Sequence, residues 1–288
     1  MEKGYEGIGP TAWGVAYRRT FSDISYSLEI FNELQRIMKK PQLTADLEEE
    51  KASSHDLQFE ARFKLVNRLL KENRADQVLE IASGFSPRGI QMAQDPSIEY
   101  IELDLPGLIK GKKDIVQKLI QKSKIPSRLN LHFEEGNALE MQDLERAVLS
   151  FKDKPIAVIN EGLLRYLNFQ EQTLIAQNIH KLLKRFGGVW ITPDISVQRK
   201  NPFGQSGEKA KEQNLQMQRV TGVDVSENRF ESEEAACMFF ENLGFGIERH
   251  GFMRAADELV LPQKLSLSAE QVAERIGRST AFVMRLRQ

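Results

Sequence analysis

The hydrophobic pattern along the chain changes period near residue 75. Upstream, apolar positions recur at helical spacing, as at Phe59, Phe63, Val66, Leu69 and Leu70, which lays them on one face of a helix. The first 75 residues therefore read as helical, without Gly/Pro clusters after Pro41. Downstream the runs are short and β-prone: Val78–Ile81, Ile98–Leu103, Asn130–Phe133, Ile156–Ile159 and Gly188–Thr192. Helix-length segments lie between them, at Arg88–Gln94, Leu108–Lys122, Leu139–Phe151 and Phe169–Arg185. Alternation of this kind predicts parallel strands joined by crossover helices. Phe245–Phe252 adds a sixth strand, Ala269–Ile276 a helix capped by Ser268, and Ala281–Leu286 a closing strand. The expected architecture is α/β: a Rossmann-like, seven-stranded, mostly parallel sheet flanked by helices. Residues 1–75 form a helical cap or substrate lid, and residues 76–288 the main domain. The polar stretch from 198 to 222 carries no strand pattern and reads as a lid insertion.

Composition narrows the classes. The chain has 288 residues, 41% apolar and 28% charged, with a formal net charge of -1. That suits one large globular unit and supplies no global field for nucleic acid or an anionic membrane. A single cysteine, Cys237, excludes an internal disulfide and makes a reducing compartment the default. With no bilayer-length apolar run and no secretory stretch at Met1–Tyr5, the expected location is cytoplasmic. His55, His132, His180 and His250 show no ligand spacing, so no metal site is expected.

In an open parallel sheet, ligands bind beyond the carboxyl ends of the strands, where the strand order reverses. Those ends are distinctive here. The first strand carries Glu80 and runs into Ala82, Ser83 and Gly84, followed by Arg88 and Gly89. Small residues let the backbone approach a ligand, and Gly84 is free to adopt dihedrals closed to other residues. The second strand ends at Asp104, twenty residues after Gly84, a spacing that suits an acid accepting the hydroxyls of a ribose. The third ends at Gly136-Asn137-Ala138, fit for an adenine edge, and the fourth at Glu161, fit for an amine. No G-x-G-x-x-G is present. Carboxylates at Glu80, Asp104 and Glu161 suit an amino-acid-bearing nucleoside and oppose a pyrophosphate. A nicotinamide-dependent oxidoreductase is the rival reading.

These segments resemble a known family. Ala82-Ser83-Gly84-Phe85-Ser86-Pro87-Arg88 is similar to the Gly-Ala-Gly-Phe-Asp-Thr-Arg turn of the leucine carboxyl methyltransferases, a family that includes O-methyltransferases of polyketide-type metabolism. Tyr100-Ile101-Glu102-Leu103-Asp104-Leu105-Pro106 resembles its tyrosine–acid–aspartate–proline segment. Glu161-Gly162-Leu163-Leu164-Arg165-Tyr166-Leu167 resembles its Glu-Gly-x-x-x-Tyr-Leu motif. The likeness spans roughly residues 10 to 195. It implies a class I methyltransferase fold, S-adenosyl-L-methionine as cofactor, and methyl transfer to an oxygen of a small-molecule acceptor, often a carboxylate. It also implies that Arg62 binds the carboxylate of the cofactor's methionyl part and that Gly84, with Ala82, Glu80 and Arg88 around it, lines that part. Asp104 would then hold the ribose, Asn137 and Ala138 meet the adenine, and Glu161 contact the amine. Arg18, Arg165 and Tyr166 are the candidates for positioning the acceptor. Two residues depart from the pattern: Ala82 stands for a glycine and Ser86 for an aspartate. They keep open a cofactor-binding protein without turnover. A carboxylate acceptor is ionised near neutral pH and needs no general base.

Overall fold

A computed structural model describes residues 9–38, 51–198 and 228–287. Seven strands form one sheet in the order β3-β2-β1-β4-β5-β7-β6. They are β1 (Gln77–Ile81), β2 (Glu99–Asp104), β3 (Leu131–Glu135), β4 (Ile156–Asn160), β5 (Gly188–Thr192), β6 (Phe245–Gly251) and β7 (Thr280–Leu286). Strands β1 to β5 pair in parallel, and β7 runs antiparallel between β5 and β6. Every residue of β1 and β4 is buried, as a parallel sheet covered on both faces requires.

The two-residue period of the strands divides the core into two layers. Leu79, Ile81, Val158 and Trp190 face one layer with Ile175, Ile179 and Leu182 of the long helix Phe169–Phe186. Val78, Tyr100, Ile159 and Val189 face the other, against Leu65 and Leu69. Those two leucines lie on α3 (Asp56–Glu72), preceded by α1 (Gly9–Arg19) and α2 (Ser27–Met38). The helix Phe169–Phe186 opens with a capping box between Asn168 and Glu171, which satisfies two otherwise orphaned amides. It closes against β5 at Gly188, where φ is 102° and a Cβ would fall 1.9 Å from the Ile156 carbonyl oxygen, so only glycine fits.

Helices α1 and α2 pack as a pair. Trp13, Tyr17 and Phe31 meet Ile115 and Leu119 of the helix Pro106–Gln121. α3 instead lies directly on the sheet. Together α1 and α3 bring basic residues to the point where the strand order reverses, between β1 and β4. The helices Glu233–Asn242, whose Ser232 side chain accepts from the Ala235 amide, and Leu261–Lys264 were not anticipated. The polar stretch read as a lid lies outside the described residues, apart from Gln198.

Candidate active site

At the carboxyl ends of β1 to β4 lies a cavity of about 370 Å³. Its first wall is the turn after β1. Ala82 and Gly84 both adopt φ of +52°, the left-handed region that costs a side-chain-bearing residue about 1–2 kcal/mol. The strain serves a contact: the turn aims the Gly84 amide at Asp104 Oδ2, 2.7 Å away, while the Leu105 amide donates to Asp104 Oδ1 at 2.7 Å. An ionised carboxylate offers about four acceptor positions. Two are filled, and two remain for donors arriving from the cavity. Burial raises the pKa of Asp104 despite these amides.

Glu161, at the end of β4, is held by three guanidinium groups. Arg19 Nη2 and Arg62 Nε donate to Oε1 at 2.5 and 2.8 Å, and Arg88 Nη2 donates to Oε2 at 2.6 Å. Arg88 is fully buried over the Phe63 ring and also donates to Glu80 Oε1 (2.5 Å) and Asn67 Oδ1 (2.7 Å). Tyr100 donates to the second Glu80 oxygen at 2.7 Å. The group of five charged side chains is therefore three cations against two carboxylates, a net of +1. Burial opposes ionisation of Glu161, but Arg19, Arg62 and Arg88 overcome it and hold the carboxyl well below its ordinary range. Burial and the charge of Glu80 push Tyr100 well above its ordinary value.

A second buried pair lies behind this one. Lys112 Nζ stands 2.5 Å from Glu102 Oε2, both side chains without exposure. Burial pushes Glu102 up to about 7 against the pull of Lys112. The short helix Arg88–Met92 presses against Glu102 at Gly89, where a Cβ would sit 2.2 Å from Oε1.

Of the residues singled out from the sequence, Arg18, Arg62, Glu80, Ala82, Gly84, Asp104, Asn137, Ala138, Glu161, Arg165 and Tyr166 all line the cavity. Arg88 does not; it stands behind the wall and reaches the cavity through Glu161. Both oxygens of Glu80 are engaged by Arg88 and Tyr100. The side-chain oxygen of Asn137 turns back to the Leu139 amide (3.0 Å), and its own amide donates to Asp143 (2.8 Å). Arg18 contacts Asp56 at 3.4 Å. Arg165 lies over the Tyr166 ring, 5.7 Å from its centroid.

Two contributors escaped sequence reading. Arg19 is one; its signal is a second stripe on α1, Ala12, Val15 and Arg19 at helical spacing, all facing the cavity. The other is Asp194, whose Oδ2 accepts from the Leu163 amide (2.5 Å) and from Asn160 (3.0 Å), itself bonded to Trp190. This buried chain fixes the turn that carries Arg165 and Tyr166.

A mostly parallel sheet with an acid-lined cavity at its switch point defines a Rossmann-like α/β protein. More specifically, the chain matches the leucine carboxyl methyltransferase profile over residues 27–180, more than half its length, and belongs to that family of S-adenosylmethionine-dependent methyltransferases. No curated protein matches it. Among solved structures it is similar to a provisionally assigned O-methyltransferase from Nostoc punctiforme, with 16% identity, a TM-score of 0.47, and coverage of 78% of this chain and 55% of that one. It is also similar to an O-methyltransferase family protein from Burkholderia thailandensis, with 15% identity, a TM-score of 0.45, and coverage of 90% and 68%. The chain thus spans about half the length of the first of these. Among the described residues, no helix is long and apolar enough to cross a membrane.

Proposed function

We propose that this protein transfers a methyl group from S-adenosyl-L-methionine to an acidic oxygen, a carboxylate, of a small-molecule acceptor. The observation that carries the reading is the chemistry of the cavity wall. Among the described residues, no histidine, lysine or cysteine lines it. Of its carboxylates, Glu161 is held by three arginines and Glu80 by Arg88 and Tyr100, while Asp104 accepts from two amides and keeps its open positions for the cofactor's ribose. A site with no group poised to take a proton suits an acceptor that arrives deprotonated.

The residues fit the cofactor. The two open acceptor positions of Asp104 match two ribose hydroxyls. The excess positive charge around Glu161 matches a carboxylate, which Arg19 and Arg62 would share with Glu161. Glu161 then provides the acidic partner of the amine, and the backbone of Asn137 and Ala138 the wall for the base. When bound, the cofactor supplies an electrophilic methyl group. The chain's part is to orient the acceptor and exclude water, with Arg18, Arg165 and Tyr166 as the residues for positioning. The turn after β1 has no G-x-G-x-x-G sequence to cradle a pyrophosphate, which disfavours a phosphate-bearing nicotinamide.

Calorimetric titration with S-adenosylhomocysteine and with NADH tests the cofactor, and incubation with a panel of organic acids and phenols tests the transfer. The expected result is binding of S-adenosylhomocysteine alone and base-labile methyl esters as products. Exclusive formation of base-stable ethers or N-methyl products would overturn the carboxylate reading, and tight binding of NADH alone would overturn both.

A further inference from the structure

We infer that Arg165 is the residue that selects the acceptor, pairing with the acid group of a molecule whose remaining body is apolar. This rests on the reading of the cavity as the acceptor's pocket. Arg19 and Arg62 spend their charge on Glu161, and Arg18 stands against the buried Asp56. Arg165 has no acidic partner among the described residues. Its guanidinium contacts the face of Tyr166, and its backbone carbonyl accepts from Asn228. It therefore contributes a cation to the cavity wall that no carboxylate among the described residues pairs.

The rest of that wall explains why this matters. Val15, Phe59, Leu108, Leu139, Leu163 and Leu167 line the same cavity. A cation among apolar side chains loses solvation when the cavity fills, and an anionic ligand offsets that loss where a neutral one does not. The position is also fixed: Asp194 holds the turn Leu163–Leu164, one residue before Arg165. The wall thus describes an amphipathic monoacid with its carboxylate on Arg165 and its apolar body along the leucines. The pairing further separates substrate from product, because a methyl ester carries no charge and loses its hold on Arg165.

The test is binding rather than turnover. Octanoate, benzoate and 4-phenylbutyrate, each with its primary amide and methyl ester, are titrated calorimetrically into protein saturated with S-adenosylhomocysteine. At least one acid is expected to bind about tenfold or more tightly than its amide and ester, the span of a charge-assisted hydrogen bond. Arg165→Leu should bring acid and amide within about twofold, and Arg165→Lys should keep part of the preference. Affinity for S-adenosylhomocysteine and the unfolding temperature should stay at wild-type values in both variants. Equal binding of acid and amide across the wild-type panel, or a preference that survives Arg165→Leu, overturns the inference. A wild type that prefers acids yet forms no methyl ester would sustain the role of Arg165 and sink the carboxyl-methylation reading.

Discussion

Replacing Glu161 by glutamine should be among the most damaging conservative changes available to this fold. The substitution keeps the shape but removes the charge to which Arg19, Arg62 and Arg88 all donate. The buried cluster then goes from three cations against two carboxylates to three against one, a rise from +1 to +2. Breaking a buried pair by neutralising one partner costs about 3–5 kcal/mol, a large part of the roughly 5–15 kcal/mol that holds a domain folded. With an m-value of about 3 kcal/mol/M, the urea midpoint should fall by roughly 1–2 M. The assay is urea unfolding followed by the fluorescence of Trp13 and Trp190. A second substitution, Arg62→Gln in the Glu161→Gln background, should recover part of the loss by removing one excess cation. The pH dependence has a definite sign. The folded-state pKa of Glu161 lies below its unfolded value, about 4.3. Its contribution is therefore present above about pH 4 and is lost as pH falls through the lower folded value. Wild type and variant should converge in acid. A loss below about 1 kcal/mol at pH 7, or a gap that does not shrink in acid, would refute the clamp.

Ala82→Gly should stabilise the protein, since the left-handed backbone at φ +52° costs alanine about 1–2 kcal/mol and the added freedom of the unfolded chain returns part of it. The net, about 0.5–1 kcal/mol, should raise the melting temperature by about 2 °C, and a fall would show that the methyl group packs usefully. Glu102 is raised to about 7 by burial, so its contribution is full below about pH 4 and declines as pH climbs to and through 7. Glu102→Gln should remove that downward slope from a stability–pH profile, and an identical slope in the variant would place its origin elsewhere. Asp104→Asn replaces an acceptor-only carboxylate by an amide with half the acceptor capacity. It should weaken S-adenosylhomocysteine binding by about tenfold or more in calorimetry, and wild-type affinity would remove Asp104 from the site.

The parts of the site that were legible in the sequence are those that the strand ends dictate. Short β-prone runs ending in small or acidic residues placed Gly84, Asp104, Asn137 and Glu161 at one edge of a sheet, because parallel strands send their carboxyl ends to the same side. The distribution of charge among partners was not legible. Glu161 read as a carboxylate awaiting an amine, yet three arginines hold it, and Arg19 lies 142 positions away in sequence. No local period encodes such a pairing; it depends on how α1 docks beside α3. Glu80 lines the cavity as read, but its oxygens are taken by Arg88 and Tyr100, and Arg88 itself stands behind the wall, where burial requires each charge to find the other. The consequence is a division of labour between the two parts of the chain. The sheet supplies carboxylates at fixed positions, and the N-terminal helices supply the cations that set the sign of the cavity. Arg165 stands apart from both groups: it comes from the sheet side yet bears a cation that no carboxylate among the described residues answers. Changes in α1 and α3 should therefore alter cofactor affinity and stability together. Changes at Arg165 should alter only what the protein accepts.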